Sequence, residues 1–576
     1  MYFNSYLFVL CFLPLTVAGF HIVAKYSLKL AKPFLIAASL LFYAYAGIPY
    51  LLLLMCSVAA NYSFAFLMLR QQAQTAKISW RKLWLCAGVG FNLLLLVYFK
   101  YMDFFIASAN AAFQKDWTLL HIALPLGISF YTFEAIGFLA DLYRGEIFGD
   151  STAMSSDVRL HFRENSGTNG TALGKLSFLD FSLFMLYFPK IVQGPIVGYR
   201  EFYTEFYAGL QAKSRFEIPT GFESQPESQL PAELRHARPM QPIRWEGLIR
   251  FTLGLSKKLL LADVLGRAVN WTYAHDEKAT VLEWFLMLFF YALELYFDFS
   301  AYCDMASGVS LLLGIRLPEN FDSPYKARSI PEFWRRWHRT LTRFLQKNVY
   351  FPLGGSRGGN LQTYRNILIV FLLSGLWHGA NWTFVLWGLL HGIANALTRA
   401  CRKPYEKLWR GAQWLLTQSF VAFAWLLFRA ESVHQAGHIL KRMAGFLLRP
   451  EKTELQLHQE FLEAFHSPLL SMLTARFMEI KSFVPAQGAL SAWYEKMPGI
   501  VQATSSWTGT AAIDLWYELG MLLLMLCGTL YLVTRCRNTA EIRYSLTPAT
   551  AVGTGVLLFW DVLSLSAVST FLYFGF

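Results

Sequence analysis

"NILIVFLLSGLWHGANWTFVLWGLLHGIANALT", residues 366–398, runs for 33 positions without a Lys, Arg, Asp or Glu. As one straight helix it would extend about 50 Å, well past a hydrocarbon core of roughly 30 Å, so it must tilt, break or double back. Ser374, Gly375 and Gly379 are the natural places to break, and they bracket a titratable side chain, His378. Irregular backbone at membrane depth is tolerated only against protein or a water-filled cavity. The stretch therefore implies a helical membrane protein with His378 in its interior, at a break.

The rest of the chain agrees. Of its 576 residues 55% are hydrophobic and only 15% charged, a balance foreign to soluble globular proteins. Apolar runs near 3–22, 34–69, 83–100, 122–140, 178–197, 281–313, 366–398, 413–428, 513–533 and 549–576 provide for roughly 10 to 13 spanning or re-entrant helices. The expected fold is all-α and polytopic. The first run lacks a basic flank and leads straight into further spans, which reads as a retained helix rather than a cleaved signal. Lys25, Lys29 and Lys32, then Arg70, Lys77, Arg81 and Lys82, follow the first and third crossings; basic loops belong inside, so the N-terminus is expected outside.

The net charge of +13 crowds the loops between runs, where insertion bias and anionic membrane lipid account for it, and no nucleic-acid partner is expected. Seven cysteines, none in a CxxC pair, and the absence of an HExxH spacing point to neither a disulfide framework nor a metal site. A single polytopic unit, 1–576, divides into N-terminal spans (1–120), a core (121–430), a surface region (431–510) and C-terminal spans (511–576). Within the core, 145–176 and 199–244 are rich in polar residues and read as loops. In 431–510, "HQAGHILKRMAGFLL" reads as an amphipathic helix lying at the membrane surface.

His378 could be a structural side chain donating to a neighbouring carbonyl, or a base. Asn381, three residues on, would share its helical face and orient the imidazole; Trp377 and Trp382 would keep the site dry and the ring neutral near pH 7. His391 falls about 220° further round a continuous helix and reads as a packing or lumen residue.

Upstream stands "RSIPEFWRRWHRTLTRFLQKNVYFPLGGSRGG", residues 328–359. Ser329 with Glu332 forms a capping-box pattern and Pro331 suits a first turn, so a helix starts here. Arg335, Arg339, Arg343 and Lys347 recur every fourth residue as a cationic stripe, while Trp334, Trp337, Leu341, Phe344 and Leu345 form the apolar face. This reads as an interfacial helix whose stripe either anchors to anionic headgroups or holds a phosphorylated donor such as a coenzyme thioester. His338 lies between the two faces, and the glycine-rich turn with Arg357 is a candidate phosphate cradle. In "ELYFDFSAYCDMASG", residues 294–308, Glu294, Asp298 and Asp304 are carboxylates at membrane depth. They are expected to be structural and paired with cations, the stripe arginines being candidate partners.

"PEFWRRWHRTLTRFLQKNVYFPLGG", "RNILIVFLLSGLWHGANWTFVLWGLLHG", "YFDFSAYCDMASG", "LPLGISFYTFEAIGFLADLYRG", "YFPKIVQGPI", "GLSKKLLLADVLG", "LLFRAES" and "FLYFGF" resemble the membrane-bound O-acyltransferase family. The likeness is greatest to its bacterial branch of alginate, peptidoglycan and cellulose O-acetylation proteins; it spans nearly the whole chain and is most specific over 328–392. It implies a multi-helix fold around a central funnel or tunnel, in the bacterial inner membrane. His378 matches the histidine usually taken as catalytic and His338 the second family histidine. The resemblance also implies acetyl-CoA as donor, an extracytoplasmic SGNH-type O-acetyltransferase or other periplasmic acceptor protein as partner, and a cell-surface polysaccharide as final acceptor. Such chemistry needs a base, oxyanion donors and exclusion of water, but no metal. Arg335, Arg339, Arg343 and Arg357 are then the candidate grip on coenzyme phosphates, and Asn381 or Trp382 the polar support. Two alternatives stand beside it: D-alanyl transfer, as in the teichoic-acid branch, and a transporter or channel using His378 and the carboxylates.

Overall fold

The computed structural model describes residues 1–70, 80–147, 176–214, 240–448, 457–463, 465, 511–542, 544–565 and 570–572. Every regular element among them is helical. Those of seven residues or more that are used below run α1 (Leu13–Tyr26), α2 (Leu28–Ala44), α3 (Ile48–Arg70), α4 (Trp80–Leu96), α5 (Met102–Phe113), α6 (Ile128–Arg144), α7 (Phe178–Leu186), α8 (Tyr199–Ser214), α9 (Met240–Ser256) and α10 (Asp263–Ala274). The second half adds α11 (Val281–Leu312), α12 (Ile330–Arg336), α13 (Arg339–Leu345), α14 (Gly359–His378), α15 (Trp382–Ala400), α16 (Arg410–Arg429), α17 (Val433–Leu448), α18 (Ala511–Thr534) and α19 (Pro548–Ser564).

The axis of the fold is α11, 32 residues long and buried along almost its whole length. Its start is set by a complete capping box, in which Thr280 accepts from the Glu283 amide and Glu283 accepts from the Thr280 amide. A helix apolar on all sides belongs in the core of a large protein, and here α11 joins two hydrophobic clusters. One is built with the helices before it, the other with α10 and α12 to α18.

Among the described residues four helices are long and apolar enough to cross a membrane: Leu7–Tyr26, Ile48–Arg70, Trp80–Phe113 and Arg410–Arg429, with Leu519–Thr534 and Pro548–Ser564 as shorter apolar helices. That is fewer than the apolar runs suggested. Runs such as 281–313 and 366–398 form helices that are broken, or that are sheathed by protein and so carry buried charge.

Region 199–244, expected to be a loop, opens as a helix instead. In α8, Tyr199, Phe202, Tyr203, Phe206 and Tyr207 are buried. Their spacing of three and four residues is one helical face, which the polar composition further along had masked. Residues 148–175 and 215–239 lie outside the described residues, as does most of 449–510. The amphipathic expectation in the surface region is met by α17, with Ala436, Ile439 and Met443 buried on one side.

Candidate active site

The uncharged stretch folds as a hairpin of two helices. α14 ends on His378, Gly379 is extended, and Asn381 opens α15 by accepting from the Thr383 amide at 3.1 Å. Of the three break points read from the sequence only Gly379 serves, because Ser374 and Gly375 remain helical. Gly375 has another task. A Cβ there would sit 2.3 Å from the Phe384 carbonyl oxygen and 3.2 Å from the Gly388 Cα, so the close approach of the two backbones requires glycine. A Cβ on Gly379 would lie 2.1 Å from the Phe384 ring.

This turn buries His378 to 3% exposure. Its imidazole packs against Trp377, Trp387 and Phe428, with ring centroids 4.9, 5.1 and 5.2 Å away. It also lines a cavity of about 60 Å³ with Lys100, the segment Leu124–Phe130, Val192 and Trp377. Trp377 is buried beside the imidazole, and its indole N–H donates to the Ser129 carbonyl at 3.1 Å. Two expectations are corrected. Asn381 is spent on the turn, its amide N–H donating to the Glu431 carbonyl at 2.8 Å. Trp382 is 53% exposed and donates to the Ser108 hydroxyl at 3.2 Å. The helix break redirects both; a three-residue spacing shares a face only while the helix continues. Trp387, on the far limb of the hairpin, and Phe428, from α16, take the place of Trp382. His391 is a packing residue, its Nδ1 accepting from the Trp334 indole at 3.2 Å.

His338 is placed differently. The basic segment begins at the expected cap, Ser329 accepting from the Glu332 amide at 3.3 Å, but it is not one helix. The chain leaves α12 at Trp337 in an extended conformation, and His338 takes a left-handed one, φ 44° and ψ 53°, before α13 begins. The bend lets Trp337 bury completely against Phe333 and Trp425, at 5.5 and 5.1 Å. It also turns His338 inward, fully buried, with its ring 4.8 Å from Phe299 and 5.8 Å from Trp377. One side chain holds the bend together. The Asn320 amide oxygen meets His338 Nδ1 at 3.0 Å, the Thr340 hydroxyl at 3.0 Å and the Thr340 amide at 3.3 Å, while the Asn320 carbonyl accepts from the Arg339 amide at 2.9 Å. An amide oxygen only accepts, so Nδ1 carries the proton and Nε2 keeps its lone pair. That Nε2 is buried without a hydrogen-bond partner among the described residues.

The broken helix also divides the stripe. Arg343 pairs with Glu201 of α8 at 2.8 Å, and Lys347 with Asp141 and Glu146 at 2.6 and 2.5 Å. Burial works against the Lys347 charge, but the hydrogen bonds to Asp141 and Glu146 outweigh it and hold the ammonium above lysine's ordinary pKa. These pairs border a cleft of about 610 Å³ that also takes in Phe133 and Thr340. Arg335 and Arg339 are exposed. With Arg343, Thr340 and Glu319 they line a second cavity of about 460 Å³. Arg357 lines neither, standing exposed on the turn before α14.

Asp298 and Asp304 of α11 are paired, though with other cations than the stripe arginines, whereas the expected pairing of Glu294 is not met among the described residues. Asp298 meets Lys258 at 2.7 Å, and Asp304 meets Lys257 at 2.5 Å and Arg250 at 3.1 Å. These cations lie on α9 and in the turn that follows it. Glu294 is buried against Gly266, where a Cβ would fall 2.5 Å from its carboxylate oxygen.

Asn320 and Trp387 escaped the sequence reading because nothing in "LPENFD" or "FVLWGL" marks a side chain that meets a residue far along the chain.

Both buried histidines, His338 and His378, lie within residues 109–434, which match the model of MBOAT, the membrane-bound O-acyltransferase family. Among curated proteins, the peptidoglycan O-acetyltransferase of Helicobacter pylori is 37% identical over 453 residues, 77% of this chain and 80% of that one. A probable alginate O-acetylase AlgI of Pseudomonas syringae is 33% identical over 77% of this chain and 76% of its own length. A teichoic acid D-alanyltransferase of Bacillus subtilis is 26% identical over 44% of this chain and 61% of its own.

Proposed function

This chain belongs to the membrane-bound O-acyltransferase family, and on that premise we propose that it takes acetyl from acetyl-CoA and delivers it toward a cell-surface polysaccharide, with His378 as general base. The observation that carries the reading is the pair of buried imidazoles packed on Trp377. That indole also touches Phe130, which lines the small cavity, and Phe133, which lines the large one, at 5.1 and 5.5 Å. The arrangement has two approaches to one water-poor centre.

The arginine side receives the donor. Arg335 and Arg339, without ion-pair partners among the described residues, provide the positive charge that coenzyme phosphates need, and Thr340 joins their cavity to the larger cleft. Arg343 contributes through its pair with Glu201. The thioester is already activated. An acceptor hydroxyl at the His378 cavity loses its proton to the imidazole as its oxygen adds to the acyl carbon. Collapse of the tetrahedral oxyanion then breaks the carbon–sulfur bond, and the proton leaves with the coenzyme thiolate. Water would compete for the acyl group, and the rings of Trp377, Trp387 and Phe428 exclude it.

The orientation that follows puts the arginine cavity on the cytoplasmic side and the His378 cavity on the outer side, with the N-terminus outside. An extracytoplasmic SGNH-type protein would carry the acetyl group onward to alginate, peptidoglycan, cellulose or another glycan. The acetyl reading is preferred to D-alanyl transfer because the acetylating relatives share more of the chain at higher identity.

The test uses the full-length protein in detergent. His378→Ala is expected to lower thiol release from acetyl-CoA by about 10² to 10⁴-fold while acetyl-CoA binding is kept. Solute flux that depends on His378 without thioester cleavage would replace the reading with transport. Turnover of a D-alanyl carrier protein in preference to acetyl-CoA would replace the donor.

A further inference from the structure

α4 and α5 are joined by a π-helical turn, Val97–Tyr101, an irregularity found inside α-helices mostly at functional places. Its last two side chains reach the end of the helix that carries His378. Lys100 Nζ donates to the Trp377 carbonyl at 2.6 Å, the His378 carbonyl at 3.0 Å and the Ser129 hydroxyl at 3.2 Å. The Tyr101 hydroxyl donates to the Leu376 carbonyl at 2.5 Å.

The last four carbonyls of a helix have no partner within it. In α14 the Gly379 amide takes that of Gly375 at 3.3 Å, and the π-turn takes the next three. An ammonium has three N–H donors, and all three of Lys100 are engaged, so none is left over for a substrate oxyanion. Lys100 nevertheless shares the wall of the 60 Å³ cavity with His378. A lysine closing an apolar run ordinarily snorkels to the interface; this one is turned onto the end of another helix.

We propose that Lys100 is a positioning residue for His378: it fixes where the last turn of α14 stops, and with it the direction from which the imidazole meets an acceptor hydroxyl entering the cavity. The inference rests on the reading of His378 as the base. Tyr101 and Ser129 complete the clamp.

The experiment compares Lys100→Met, Lys100→Arg and His378→Ala in the full-length protein, following thiol release from acetyl-CoA. Lys100→Met is expected to lower kcat about ten- to a hundredfold with KM for acetyl-CoA unchanged to about twofold, since misplacing a reacting group acts on turnover. Lys100→Arg, which keeps charge and donors, is expected to recover about a third of the wild-type kcat or more. Wild-type kcat in Lys100→Met, with His378→Ala inactive, overturns the inference alone; full turnover in His378→Ala overturns the base reading and this one with it. Equal losses in the Met and Arg variants, matched by equal losses of thermal stability, would mark a merely structural lysine and also overturn it. Should Lys100→Met not yield monodisperse protein, Lys100→Gln and Tyr101→Phe are measured in the same way, and full kcat in both overturns the clamp.

Discussion

His378 and His338 touch the same indole, yet the chain fixes them by opposite means. His378 is the last residue of a 20-residue helix, set by a glycine that ends the helix and by donors from a distant π-turn that hold its final carbonyls. His338 sits between two seven-residue helices in a left-handed conformation, φ 44°, which costs a residue with a Cβ about 1–2 kcal/mol. The hydrogen bonds around Asn320 offset that strain. One imidazole is located by where a helix stops, the other by a single amide 18 positions away. A buried imidazole is thus fixed by regular structure in one case and by its interruption in the other.

Removing the imidazoles strikes the comparison hardest: the loss in His378→Ala should exceed that in His338→Ala, because of the two only His378 lines the 60 Å³ cavity. Next comes Asn320→Ala, which strands the His338 Nδ1–H and two donors of Thr340 in a buried site. At about 1–3 kcal/mol per unsatisfied group, a loss of about 3 kcal/mol or more is expected, read as a lower unfolding temperature together with slower thiol release; unchanged stability would mean that the bend does not depend on this amide. A smaller effect is expected on the donor side. Arg335→Ala with Arg339→Ala should raise KM for acetyl-CoA about tenfold with kcat nearly unchanged, as loss of uniform binding does. Arg343→Ala, whose charge is already paired with Glu201, should do less, and the reverse order would relocate the phosphates. The smallest effect belongs to Trp382→Phe, expected to stay within about twofold in kcat because an exposed indole neither shields nor supports the imidazole; a large loss would restore the sequence-based role.

Much of this was legible beforehand. The need for a break in 366–398, the burial of His378 with Trp377, the start of a helix at Ser329 and the pairing of Asp298 and Asp304, though not of Glu294, all follow from length, capping chemistry and the cost of charge away from water. What misled was periodicity extended across breaks. The every-fourth-residue stripe assumed one helix through His338, and Asn381 and Trp382 were assigned to His378 as if α14 continued past Gly379. The segment 199–214 was lost to the polar average of its neighbours, although its aromatic spacing was there to be read. Lys100 carried a faint signal, a lone cation ending an apolar run, but its ordinary use would have been at the surface.

By itself, then, the chain determined its helical membrane character, the break beside His378 and the rule that charges at depth must find partners, because these depend on local spacing and on the free energy of moving groups out of water. Only the packed molecule decided that Lys100 would close the end of α14, that Asn320 would select the His338 tautomer, and that Lys257, Lys258 and Arg250 rather than the stripe arginines would meet the carboxylates. Such meetings join residues tens to hundreds of positions apart, and they are chosen by how helix faces dock, a quantity no local pattern encodes.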